Sequence, residues 1–141
     1  MSYDKPNRLK YSFGIFDFGG GADQTFYFRG PKGKKGRVWD YGVQDVTEAF
    51  AAGTNKPRIS VGLASDLDAY GVQLDMGTLA DDDAQSIRSR FTPAEIVATY
   101  VPMTTAFDIP ADTKVGLACV AGTGSGLTGM AVPFCIIDWD D

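Results

Sequence analysis

The chain has 141 residues (15.1 kDa), a formal net charge of −5, and 44% apolar against 22% charged residues, the balance of one folded domain rather than of a disordered or fibrous chain. It contains 17 glycines and no histidine; the missing imidazole removes the commonest general base, the commonest zinc ligand and the Ser–His and Cys–His pairs of most hydrolases. No run approaches the ~20 apolar residues of a membrane helix, and "MSYDKPNRLKYSF" carries charges but no apolar stretch before a cleavage site, so no secretory signal is expected.

Residues 1–8 are expected to form a flexible N-terminal arm on a single domain spanning 1–141. Strand candidates follow at "LKYSFGIFDF" (9–18), "TFYFRG" (25–30) and "RVWDYG" (37–42). "VQDVTEAFAAG" (43–53) reads as a short helix stopped by Gly53 and Asn55. Strict alternation marks the next two strands. Ile59, Val61 and Leu63 share one face of "RISVGLA", and Tyr70, Val72, Leu74 and Met76 one face of "AYGVQLDM", with Gly71, Gln73 and Asp75 opposite. "DDDAQSIRSRF" has acids before arginines, the order a helix dipole favours, and predicts a helix over 82–90. In "TPAEIVATYVP", Thr92, Pro93 and Glu95 form a capping box, yet Ile96, Val97, Thr99, Tyr100 and Val101 prefer a strand; a turn entering a strand is expected. "KVGLACV" places Val115, Leu117 and Cys119 on one face, and "GMAVPFCIID" (129–138) is the last candidate. The pattern predicts an all-β, mainly antiparallel fold, a β-sandwich or jelly-roll-like domain with one to two short helices.

The glycine run "VAGTGSGLTGMAVPF" has the G-x-G-x-x-G spacing at Gly124, Gly126 and Gly129. A strand rather than a helix follows it, so a hairpin loop is expected and not a dinucleotide site. "RGPKGKKGR" gathers Arg29, Lys32, Lys34, Lys35 and Arg37 between two strands. It reads as a hairpin tip, either merely solvated or binding a partner. A sequence pI near 4.6 argues against nucleic acid. "DLDAYGVQLDMG" begins like a calcium loop but places Gly77 where a bidentate glutamate is needed. Asp81–Asp83 read as a helix start, and no cofactor, metal or catalytic residue is expected. The early aromatics Tyr11, Phe13, Phe16, Phe18, Phe26, Tyr27 and Phe28 fall on both strand faces. That implies either a second covering layer or a subunit interface. Trp139 is either tucked at a strand end or offered to a partner. Cys119 and Cys135 are compatible with a cross-strand disulfide, or with two buried thiols as expected of a cytoplasmic product. Residues 1–58 carry a net +4 and residues 59–141 a net −9, so unlike halves either attract a neighbouring copy or intermix on folding.

A small β domain with long glycine-rich turns and text such as "AFDIPADTKVGLACVAGTG" resembles, in general character, the capsid decoration or cement proteins of tailed bacteriophages. The resemblance assigns no individual residue. It implies a non-enzymatic virion protein, made in the host cytoplasm, that sits on the capsid surface as a dimer or trimer and staples the major capsid protein. The residues expected to make these contacts are Lys32, Lys34, Lys35, Arg37, Phe16, Phe18, Phe28 and Trp139. The alternatives are a carbohydrate-binding sandwich, another phage part from tail or neck, and a glycosidase using two of Asp66, Asp68, Asp75 and Asp81.

Overall fold

A computed structural model describes residues 7–51, 55, 57–75, 86–88, 108–126 and 128–140. The strands are β1 (Arg8–Ser12), β2 (Phe16–Asp17), β3 (Gln24–Arg29), β4 (Gly36–Ala51), β5 (Arg58–Leu63), β6 (Asp66–Asp75), β7 (Ser86–Arg88), β8 (Asp108–Ile109), β9 (Lys114–Val120) and β10 (Thr128–Trp139). The larger sheet runs β1-β10-β4-β7, with β2 on β10 and β8 on β4; the smaller runs β3-β9-β5-β6. All pairings are antiparallel. Both sheets send side chains into one core, with Val38, Tyr41, Cys135 and Ile137 from the larger and Ile59, Val61, Val115, Leu117 and Cys119 from the smaller. This arrangement is compatible with the expected sandwich.

The alternation in β5 and β9 holds as expected. Their outward positions, Ser60, Gly62, Gly116 and Ala118, are small and also buried, so these central strands are covered on both faces. Alternation in β6 breaks. A register shift pairs Val61 with Gly71 and Ile59 with Leu74, a bulge that turns Gly71 inward beside Tyr70. A Cβ on Gly71 would lie 3.0 Å from the Tyr41 ring.

The helix expected over 43–53 is instead the second half of β4 as far as Ala51. Two bulges explain the error. Gln44 and Glu48 oppose Val132 and Met130, four residues against two, and Ala51 then opposes Thr128. Each bulge resets the period of two, so Val43, Val46 and Phe50 all point at the core at a spacing that imitates a helix. Asp45 adopts a left-handed conformation, φ 51°, at the first bulge. The helix expected over 82–90 is likewise replaced by a strand at 86–88, the part that is described. "TPAEIVATYVP" and Asp81–Asp83 lie outside the described residues.

Both glycine-rich loops differ from the hairpins expected. β3 and β9 belong to one sheet and β4 and β10 to the other, so each loop is an arch that carries the chain across the core. Gly124 and Gly126 take φ 103° and 78° in the second arch, a turn that side chains with a Cβ resist. Gly30 and Gly36 bracket Trp139 at the ends of the first. A Cβ there would stand 2.2 Å and 2.5 Å from the indole. Trp139 is buried, and its N–H donates to the Tyr11 hydroxyl at 3.0 Å.

Replacing Gly30 with Ala therefore drives a methyl into the indole and lowers stability by about 1–3 kcal/mol, read as a lower denaturation midpoint with altered Trp fluorescence. Asp45→Val, though exposed and richer in strand propensity, destabilises by about 1–2 kcal/mol because a β-branched residue resists φ 51°. Asp45→Gly stays within about 0.5 kcal/mol of the parent in the same measurement.

Candidate functional site

The basic arch is built from the ends of β3 and β4. The Arg29 guanidinium donates to the Asp112 carbonyl at 2.7 Å, and the Gly33 N–H donates to Asp112 Oδ1 at 2.9 Å. Lys34 N–H closes a turn on Pro31 O at 3.2 Å, and Asp140 N–H donates to Lys35 O at 2.8 Å. The arch is thus tied to the β8–β9 turn on one side and to the chain beyond β10 on the other. Lys32 and Lys35 are exposed and Lys34 is half-buried. No carboxylate among the described residues pairs with these three lysines. Arg37 is different. Its Nε lies 3.0 Å from Asp108 Oδ1, in a mostly exposed pair worth about 0–1 kcal/mol.

The aromatic residues expected to meet a partner are placed otherwise. Phe16 and Phe18 are buried and stand edge to face at 4.7 Å. Trp139 is buried beneath the arch. Phe28 stacks on Tyr11 at 4.0 Å, and Phe26 on Phe13 at 4.8 Å. Since β1 and β3 lie in different sheets, these stacks close one side of the sandwich. "FDF" and "FYF" supply that closure, with Tyr27 the one exposed ring of the two motifs. Of the eight expected contact residues, the four cations remain at the surface, and the four aromatics belong to the chain's own packing.

The unlike charges of the two halves intermix within the chain. Arg8 grips Asp138 through Nε at 2.6 Å and Nη2 at 3.0 Å while stacking 4.0 Å over Trp39. This places Arg8 inside β1 rather than in a flexible arm; residues 1–6 lie outside the described residues. Arg37–Asp108 joins the same two halves.

The carboxylates at 66 and 68 stand together on the exposed β5–β6 hairpin. A hydrogen bond that the protonated Asp68 carboxyl donates to Asp66 holds Asp68 above its ordinary value. Neither lines a cavity among those described, and the Asp75 side chain and Asp81 are outside the described residues. Other carboxylates serve the backbone. Asp17 accepts from Gly19 N–H, Asp23 from Ala121 N–H, Asp40 from Tyr41 N–H and Glu48 from Gly129 N–H.

At one end of the sandwich three segments enclose a cleft of about 710 Å³, with Gly19–Gly21 and Asp23 on one wall, Asn55 and Arg58 on a second, and Val120–Gly124 on the third. The walls are cross-bonded. Gly122 N–H donates to Phe18 O at 3.1 Å, Asn55 and Thr123 exchange backbone bonds at 3.1 and 3.0 Å, and Asn55 Nδ2 donates to Thr123 Oγ1 at 2.7 Å. The sequence reading missed this site because its residues come from separate loops and nearly half of them are glycines. The legible signal was an arginine, Arg58, opening a strand that carries no other charge.

No known protein family matches the chain, and neither a curated protein nor a solved structure does.

Cys119 and Cys135 are both free and fully buried, each projecting into the core from its own sheet. Burial pushes both thiols up, and the nearby Cys119 adds to the effect on Cys135. A protonated, inaccessible thiol is a poor nucleophile. A thiol-reactive dye at about pH 8 therefore labels neither cysteine in the native protein and both in denaturant; rapid native labelling would contradict this.

Proposed function

We propose that the protein is a non-enzymatic structural component of a virion, a cement or decoration protein that binds the shell formed by a phage major capsid protein, as a dimer or trimer on the capsid surface. The observation that carries this reading is the basic arch. It is braced at both ends, yet it directs Lys32 and Lys35 outward with no internal partner. A pre-ordered loop loses little conformational freedom on binding, and cations left unpaired on a stiff edge suit an acidic surface. In a symmetric shell, many such weak contacts add through avidity. The buried aromatics do not take part; among them Trp139 packs beneath the arch, between Gly30 and Gly36.

The test is co-sedimentation of the purified chain with assembled shells of the major capsid protein. Binding is expected at about 50 mM salt and is expected to fall steeply by about 500 mM, where screening shortens the reach of surface charge. Changing Lys32, Lys34, Lys35 and Arg37 to Ser abolishes binding while lowering stability by at most about 1 kcal/mol. Unchanged sedimentation of that variant, or binding indifferent to salt, would remove the electrostatic basis of the proposal.

A further inference from the structure

The cleft at the end of the sandwich contains a group that the fold does not use. Arg58 opens β5 and is held by backbone pairing to Val120 on one side and Asp75 on the other. Its Nε is buried without a hydrogen-bond partner, and among the described residues no ion pair engages it. The residue as a whole is half-buried and lines the cleft, so its guanidinium places a charge without a counter-ion on the wall. The cleft beside it leaves room for an anion. Five of the eleven residues lining the cleft are glycines, so the walls are largely bare backbone that a ligand can approach closely. Bonds between the loops keep those walls in position before anything binds.

We propose that this cleft is a binding site for a small oxyanion, a carboxylate or phosphate group, for which the unpaired Arg58 guanidinium on the wall provides the positive charge. A guanidinium suits either group because its donors match two oxygens at once. Asn55 and Thr123 add neutral polar groups on the walls. Asp23 opposes the ligand's charge. Its Oδ1 is engaged by Ala121 N–H at 3.0 Å, so its part is to brace the loop at some cost in anion affinity. The site stands apart from the basic arch, and its occupancy does not depend on the capsid reading.

The experiment titrates isotope-labelled protein with inorganic phosphate and, separately, with citrate, following backbone amide shifts. Saturable shifts are expected at Gly19–Gly21 and at Ala121–Gly124, and the tighter of the two probes identifies the group preferred. Arg58→Gln weakens that binding by about tenfold or more, the loss expected for a charge-assisted bond. Asp23→Asn keeps the carbonyl acceptor for Ala121 and removes the opposing charge, so it tightens binding by about twofold or more. If Arg58→Gln fails to fold, the Asp23→Asn result decides alone. Shifts that saturate with neither probe, an Arg58→Gln variant that binds like the parent, or an Asp23→Asn variant that binds no tighter would each overturn the assignment.

Discussion

The larger sheet is held together by the pairing of its two long strands, β10 and β4; β10 carries β1 and β2 on its other edge, and β4 carries β7 and β8. β10 lies at the centre of that sheet. Its inward residues Ala131, Cys135, Ile137 and Trp139 belong to the shared core, and its outward Phe134 and Ile136 are buried as well. A strand buried on both faces reads as a nearly continuous apolar run, as "AVPFCII" does. Two cations of β1 use the same strand. Arg8 binds Asp138, and Lys10 lies 4.9 Å over the Phe134 ring. The strand therefore organises the surface beside it as well as the interior.

Trp139, at the end of β10, connects that spine to the basic arch. The indole fills the space between Gly30 and Gly36, and the Tyr11 that accepts its N–H also stacks on Phe28 from the other sheet. One side chain thereby links both sheets and the loop that joins them. The rigidity of the arch comes from this packing below and from the Asp112 bonds at its flank. Its lysines are free for outside contact because none of them is needed to hold it.

The strand text at 58–63 and 114–120 was legible because each inward face there is an unbroken alternation of Ile, Val, Leu and Cys. Where bulges intervene, the same reasoning failed. Val43, Val46 and Phe50 mimic a helical spacing only because β4 gains extra residues against β10. Which sheet a strand joins left no local trace either. A glycine-rich turn looks the same whether it returns the chain to its neighbour or carries it across the core, so two arches passed for hairpins. The aromatics around Phe13 and Phe26 appeared surplus since their stacking partners are far away in sequence. The cleft was hidden for a related reason. Its character comes from bare backbone and from one arginine that lacks a partner, and partnerlessness is a property of the folded state alone.

Among the eight strand pairings described, only β5–β6 joins strands that are consecutive in the chain. Chain order thus sets a schedule for assembly. Strands 1 and 2 pair only with the last strand, and strand 4 keeps its long edge open until that strand is made, so these edges wait while the chain is being synthesised. Such a polypeptide gains little from folding piecemeal as it emerges, and its slowest stage is the late closure of distant segments. During that interval, apolar β text is exposed to whatever else is in the cell. High-level production of this protein should accordingly favour low temperature and slow synthesis, because what limits its yield is the wait for a single late-arriving segment.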